Sequence, residues 1–326
     1  VSATRRDTPD FQSFYQNKLL PVLQEFEQQR LKVRTKTLLA LSICGLLAIG
    51  GGLFFYLQGH LEVGVILAVL SVIVGGFVST QARKGYVRAF KQGVVGRIAS
   101  FVDKSIQYVP EGYVSQDDYR DSRIFKQDVD RYRGEDLFKG TQDKTEFRFS
   151  ELHTEYKSES SDSKGNRQTT WHTIFRGGFF IADFHKNFQG YTVVLPDTAE
   201  KSFGWLGKKF QGTFRHTGEL VSLDDPEFER EFVVYSSDQI EARYLLSHSM
   251  MQRILAFHRK GGSHLRVAFH HSNVYLAIDS NRDRFEPRVM KSVLDPELCR
   301  EFLEDLLFIY GLIDDLNLNT RIWSKA

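Results

Sequence analysis

The chain has 326 residues, with 43 Lys and Arg against 41 Asp and Glu, for a net charge of +2. That balance leaves no cationic excess to hold a nucleic-acid backbone, and two cysteines exclude a disulfide framework and suit a reducing compartment. The mean hydropathy of −0.32 is that of an ordinary polar chain, and it conceals two long uncharged runs near the N-terminus.

Residues 9–34 carry Phe11, Tyr15, Leu19, Val22 and Phe26 at steps of three and four, which predicts an amphipathic helix with an aromatic side. Pro21 is expected to kink it. The run over 37–57, TLLALSICGLLAIGGGLFFYL, follows without a break, and a second run, VGVILAVLSVIVGGFVST, covers 63–80 and extends back to Leu61. Each is long enough to cross a hydrocarbon core of about 30 Å as a helix. Only Gln58 to Glu62 separate them, so the two spans must be antiparallel. Arg30, Lys32, Arg34 and Lys36 precede the first span, Arg83, Lys84, Arg88 and Lys91 follow the second, and the turn has no basic residue. The positive-inside rule then predicts a multi-pass membrane protein with both termini cytoplasmic and the turn outside. A signal peptide does not fit, because more than thirty residues precede the first run and a second span follows at once. Ala40, Cys44, Ala48 and Gly52 recur on one helix face, and Gly64, Ala68, Ser71, Gly75 and Ser79 on the other. Small residues at this spacing let backbones approach. Packing within the hairpin is the favoured reading, and a seam to a second copy, making a homo-oligomer, is the alternative. Neither span carries a charge, which argues against a transport path through the pair.

Roughly 240 residues follow the hairpin, enough for a domain with its own core. A juxtamembrane helix is expected over 83–108, with Tyr86, Phe90, Val94, Ile98 and Phe101 on its apolar side. A charged, aromatic stretch of short turns follows over 109–134. From Asp136 onward the pattern is that of strands. Phe147 and Phe149 alternate with charges, SSDSKGNRQ reads as a loop tip, and Trp171, Thr173 and Phe175 resume the alternation, so 145–175 reads as a hairpin. Gly177 and Gly178 allow a bulge or a sharp bend. Further strands are expected at 191–195, 220–221 and 232–235, and a clear hairpin pairs Leu265, Val267 and Phe269 with Val274, Leu276 and Ile278. Asp225-Pro226-Glu227 and Asp295-Pro296-Glu297 are helix starts. Asp238 with Glu241 is a capping-box variant that opens one long helix to about His258. The expected fold class is α+β: a two-helix transmembrane hairpin, then a cytoplasmic domain of antiparallel strands packed with two long helices. The segments are a cytoplasmic helix over 1–36, a membrane hairpin over 37–82 with spans at 37–57 and 61–80, the juxtamembrane helix over 83–108 and the cytoplasmic domain over 109–326.

The strings WHTIFRGGFFIADFHKNFQGYTVVLPD, LVSLDDPEFEREFVVYSSDQIEARYLLSHSMMQRI and HLRVAFHHSNVYLAI, with FKGTQDKTEFRFSEL upstream, resemble a bacterial family known as domain of unknown function 3137. The resemblance covers roughly residues 110–285. It implies a multi-pass protein of the bacterial inner membrane with a short hydrophobic hairpin and a cytoplasmic domain, and it brings no catalytic residue, cofactor or substrate.

No chemical motif emerges from the residues. His258, His264, His270 and His271 form the densest histidine group, but they lack paired zinc-ligand spacing, and strand alternation sends His270 and His271 to opposite faces. The acidic run of Asp224, Asp225, Glu227, Glu229 and Glu231 reads as helix-start chemistry. Ser150-Glu151 and Asp183-His185 have hydrolase-like residue types without a nucleophile elbow, and no phosphate-binding glycine loop is present. Neither a cofactor nor a metal is expected. Trp205, Lys208, Lys209 and Arg215 form a basic-aromatic loop suited to anionic headgroups. The expected function is a membrane-anchored scaffold that recruits a protein partner, with the lipid bilayer as its other contact. A tethered enzyme and a lipid-surface sensor are the alternatives.

Overall fold

The computed structural model describes residues 8–161, 167–197, 218–261 and 264–318. The chain folds as two units, one comprising Val1–Phe101 and Arg284–Glu304, the other Val102–Asp283 and Asp305–Ala326.

The first unit is helical. A helix α1 (Thr8–Phe14) passes through a π-helical turn (Tyr15–Leu19) into α2 (Leu20–Leu57). Pro21 sits in the first turn of α2. The expected interruption therefore takes the form of a π turn just before the proline, where one widened turn absorbs the missing N–H. The chain reverses at Gly59, whose φ of +77° a side chain would disfavour, and returns as α3 (Leu61–Phe90), a second π turn (Lys91–Val95) and α4 (Gly96–Val102). No separate helix over 83–108 exists: α3 runs on without a break from the second apolar run, and helix ends at Val102. There Asp103 turns the chain by accepting Ser105 N at 2.7 Å through its side chain and Ile106 N at 3.1 Å through its carbonyl.

At the feet of the two long helices, Leu19, Leu23, Phe90, Val94 and Ile98 are fully buried, and the Phe26 ring meets Phe90 edge-on at 5.5 Å. The aromatic face of the first helix thus has two partners. One is the α3–α4 stretch. The other is the remote segment 284–304. Arg30 donates to Val289 O at 2.7 Å, Glu27 accepts Val293 N at 3.0 Å, Tyr15 donates to Leu294 O at 2.8 Å, and Lys91 pairs with Glu286 at 3.0 Å. Arg30 and Lys91 are therefore buried structural charges.

The second unit is built on one nine-stranded antiparallel sheet: β1 (Gln107–Val109), β2 (Arg131–Gln142), β3 (Thr145–Ser161), β4 (Arg167–Asp183), β5 (Tyr191–Pro196), β6 (Glu219–Val221), β7 (Phe232–Ser236), β8 (Leu265–His270) and β9 (Asn273–Asp279), in the spatial order β1-β2-β3-β4-β9-β8-β5-β7-β6. Both faces are covered, which is why β3 and β4 read as Phe-rich. On one face the stretch 110–130, including the short helix α5 (Gln116–Asp121), lays Val114, Tyr119 and Ile124 over Leu152, Phe175, Phe179 and Tyr275. On the other face the Phe147 ring meets Tyr310 edge-on, from the C-terminal half of the last helix (Pro296–Asp315). The two glycines of β4 do not make a bulge. Gly177 lets β9 approach, and a Cβ on Gly178 would strike the Phe149 ring at 2.6 Å. The register shift lies instead at Thr154/Glu155.

The remaining helices are α6 (Pro226–Glu231), α7 (Gln239–Leu245), α8 (His248–Gly261) and α9 (Pro296–Asp315). Asp225 and Asp238 cap α6 and α7 as their side chains predict. The single helix expected over 238–258 is broken, because Leu246 leaves helical geometry at ψ 55° and Ser247 starts a new turn by accepting Met250 N and Met251 N. Glu241 does not close a capping box. Its carboxylate turns away to accept Gln189 N and Gly190 N, at 3.2 and 3.1 Å.

Candidate functional site

Strands β3 and β4 outrun the sheet. β2 ends its pairing at Arg131↔Glu155, and β9 ends at Gly177↔Asp279. Beyond those points, Tyr156 to Ser161 and Arg167 to His172 pair only with each other among the described residues. The result is a two-stranded arm. Its base is stiffened by aromatic and cationic stacking: Tyr156 lies on His172 at 4.8 Å between ring centroids, and the Arg131 guanidinium lies 3.7 Å over Trp171. Asp130 caps one edge by accepting Lys157 N at 2.8 Å. Past that cap the edges offer backbone groups of the kind an added strand takes up.

A groove of about 810 Å³ lies beside the free edge of β4, between Thr173–Arg176 and Asp279–Arg282. A smaller cleft of about 250 Å³ lies nearby, over Arg133, Glu135, Glu151, His153 and Arg176. Beside it the carboxylates of Glu135, Asp136 and Glu151 come within 4.8 Å of one another at the β2 bulge. The spacing would suit a hard divalent cation, but Asp136 already accepts the Tyr108 hydroxyl at 2.5 Å. Sequence reading missed this trio because only the hairpin register brings 151 opposite 135.

The histidines are distributed differently from the expectation. The His270 and His271 rings meet at a tilt with centroids 3.8 Å apart, because His271 takes a left-handed turn conformation with φ +56° and leaves strand alternation. His270 bonds through Nδ1 with Asp121 O at 2.8 Å, and burial pushes its imidazole below the usual range. His258 instead faces Glu231 at 3.8 Å.

Asp183 and His185 do form a relay. Asp183 Oδ2 lies 3.1 Å from His185 Nδ1, and His185 Nε2 lies 3.1 Å from Thr145 Oγ1. Carboxylate, imidazole and hydroxyl stand in the order of a hydrolytic triad, yet Thr145 is wholly buried and its hydroxyl also reaches Leu318 O at 3.4 Å. A substrate has no way to that oxygen, so the arrangement ties the C-terminal segment to β3. Ser150 is likewise structural, with its hydroxyl accepting Val114 N at 3.0 Å.

In the helical unit, Ala40, Cys44, Ala48 and Gly52 are half-buried while most residues around them are exposed, and Gly64, Ala68, Ser71, Gly75 and Ser79 are likewise the less exposed positions of the return helix. A Cβ on Gly64 would lie 3.3 Å from Gly52 Cα, and one on Gly75 would lie 3.0 Å from Cys44 Sγ. Trp205, Lys208, Lys209 and Arg215 lie outside the described residues.

The described chain is thus an α+β protein: long N-terminal helices and an antiparallel sheet unit. Residues 173–318 match the family model described as "Protein of unknown function (DUF3137)". The resemblance read from the sequence holds over that stretch, which starts later than the 110 expected and runs further, to Leu318. No curated protein matches the chain. Among solved structures, the crystal structure of the mycobacterial trehalose monomycolate transport factor A, TtfA, aligns with a TM-score of 0.30 and 11% identity, covering 68% of this chain and 96% of that one. At that TM-score it bears on neither the fold nor the role of this protein.

Proposed function

We propose that this protein is a two-pass protein of the bacterial inner membrane that holds its sheet unit on the cytoplasmic side and docks a protein partner there through the β3–β4 arm. The observation that carries this reading is a continuous band of exposed apolar side chains on α2 and α3. Leu46, Ile49 and Leu57 are 72%, 73% and 75% exposed, and Phe77 is 65% exposed. Monomeric soluble proteins rarely expose apolar patches beyond a few hundred Å², and lipid is the solvent that such a band fits. Arg30 and Lys91 are tied up in the fold, so orientation rests on the exposed Lys32, Arg34 and Lys36 at one foot and Arg83, Lys84 and Arg88 at the other. An extended segment of the partner adding along the arm's free edges accounts for an arm that buries little of its own surface.

Two single-cysteine substitutions test the topology. The native thiols give little background, because Cys44 lies within the span and Cys299 is fully buried, with burial and then Asp295 pushing its thiol up to about 12. In intact cells a membrane-impermeant maleimide should label His60→Cys, and should label Ser158→Cys only after permeabilisation. The reverse pattern, or loss of the protein from vesicles in a carbonate wash, overturns the membrane reading. A photo-crosslinker at Thr170 should yield an adduct that one at the remote, exposed Asp224 does not. Equal or absent adducts at both positions remove the arm from the docking role.

A further inference from the structure

We propose that a third cleft, on the sheet face at the β1–β4 end, binds a small zwitterion with a phosphate or carboxylate at one end and an ammonium at the other. The cleft is about 400 Å³, within the range of small-molecule sites. It opens where the covering stretch 110–130 stops. One wall is the turn after Asp103, which comes close because residue 140 is glycine: a Cβ there would lie 3.2 Å from Ile106 Cα and 3.3 Å from Ser105 O. The Ser105 hydroxyl fastens that wall to Thr141 O at 2.8 Å.

The charges in the cleft fall into two rows. Lys139 and Arg148 are direct cross-strand partners. Two residues along, Glu146 and Asp183 adjoin one step beyond the Phe147↔Ala182 pair. Like charges placed opposite each other repel, so each row asks for a counter-charge. One member of each row already has its own partner. Arg148 holds Asp118 with both terminal nitrogens, at 2.7 and 3.0 Å. Asp183 accepts His185 N at 2.9 Å and faces its ring. The exposed side chains of the other two, Lys139 and Glu146, make no hydrogen bond or ion pair among the described residues, although they are diagonal neighbours of opposite sign. A cationic row and an acidic row about 7 Å apart along the strands, each with one fixed and one unpaired group, present a dipolar template. A zwitterion laid across it supplies both missing counter-charges at once, whereas a simple anion or cation leaves one row uncompensated.

The chemistry is shared by a free phosphorylated amino-alcohol and by the headgroup of a zwitterionic lipid, so the probe is O-phosphoethanolamine. In calorimetry on the full chain in maltoside micelles it should bind saturably, and about tenfold or more tighter than inorganic phosphate or ethanolamine alone. Lys139→Ala and Glu146→Ala should each weaken it by about tenfold, while Arg133→Ala, in the other cleft, should not. Absence of saturable binding, equal binding of phosphate alone, or indifference to both substitutions overturns the proposal. A readout without variants uses acylation of Lys139 followed by mass spectrometry. Protection in nanodiscs of phosphatidylethanolamine alone assigns the lipid as source, and protection only on adding the soluble probe assigns the free solute. Protection in neither overturns the site.

Discussion

At Gly177 the backbone φ is +151°, and an added Cβ would lie 2.1 Å from the Ile278 carbonyl oxygen and 2.7 Å from Ser280 N. Both obstacles are backbone atoms of β9 and its exit, so neither can rotate away. Gly177→Ala should destabilise the sheet unit by about 3 kcal/mol, from a strained conformation and a forced separation of β4 from β9. Urea unfolding followed by tryptophan fluorescence measures it, and a midpoint equal to the wild type would mean the strands are not so close. Gly45 and Gly50, on α2, have nothing within 4 Å of a built Cβ, so alanine there should be silent in the same measurement. The contrast separates a glycine required by its neighbours from one that no neighbour constrains.

Among the elements, α5 shows how a short helix is held by its flanks. Ser115 caps it by accepting Asp118 N, Tyr119 lies buried with its hydroxyl 3.0 Å from Thr154 Oγ1, and Asp118 clasps Arg148. Burial pushes the Asp118 carboxyl up, and the Arg148 and Ser115 hydrogen bonds more than reverse it, so the group sits below its ordinary value. A depressed carboxylate stabilises the fold above its unfolded pKa of about 3.9 and loses that contribution as pH falls through the lower folded value. The pair is partly exposed, so its share is on the order of 1 kcal/mol. Hydrogen exchange should show residues 116–121 losing protection below about pH 4 while β3 and β4 keep theirs. Asp118→Asn should show the same loss at neutral pH, and unchanged protection in that variant would assign the cover to apolar packing alone. What could be read in advance divides along the same line. The β8–β9 hairpin and the Asp-Pro-Glu helix starts were legible, because alternation and capping act over a few residues. The break at Ser247 was missed, since the apolar periodicity runs across it. The contact of His270 with His271 was missed because one left-handed residue cancels the alternation rule. The cleft between Lys139 and Glu146 has no local signature: its four charges come from three strands and meet only through register.

For the whole chain, the sheet unit is discontinuous, and its last piece arrives after the excursion of 284–304 into the helical unit. That return is legible nowhere in the sequence, since the contacts of 284–304 with the first helix lie more than 250 residues apart. It has a direct consequence for dissection. Residues 305–318 place Tyr310 against Phe147 and Phe308 against Phe257. They also accept Gln142 Nε2 on Asp314 at 2.9 Å and Arg253 on Asp315 O at 3.0 Å. A fragment ending at Asp283 would keep the nine described strands yet bare an aromatic sheet face, and exposed faces of that kind drive association. Residues 102–283 should therefore aggregate or unfold without a cooperative transition, whereas 102–318 should retain one in urea. Equal cooperativity in the two fragments would mean that the last helix is an accessory to the sheet; a transition only in the longer one makes the end of the chain part of its core.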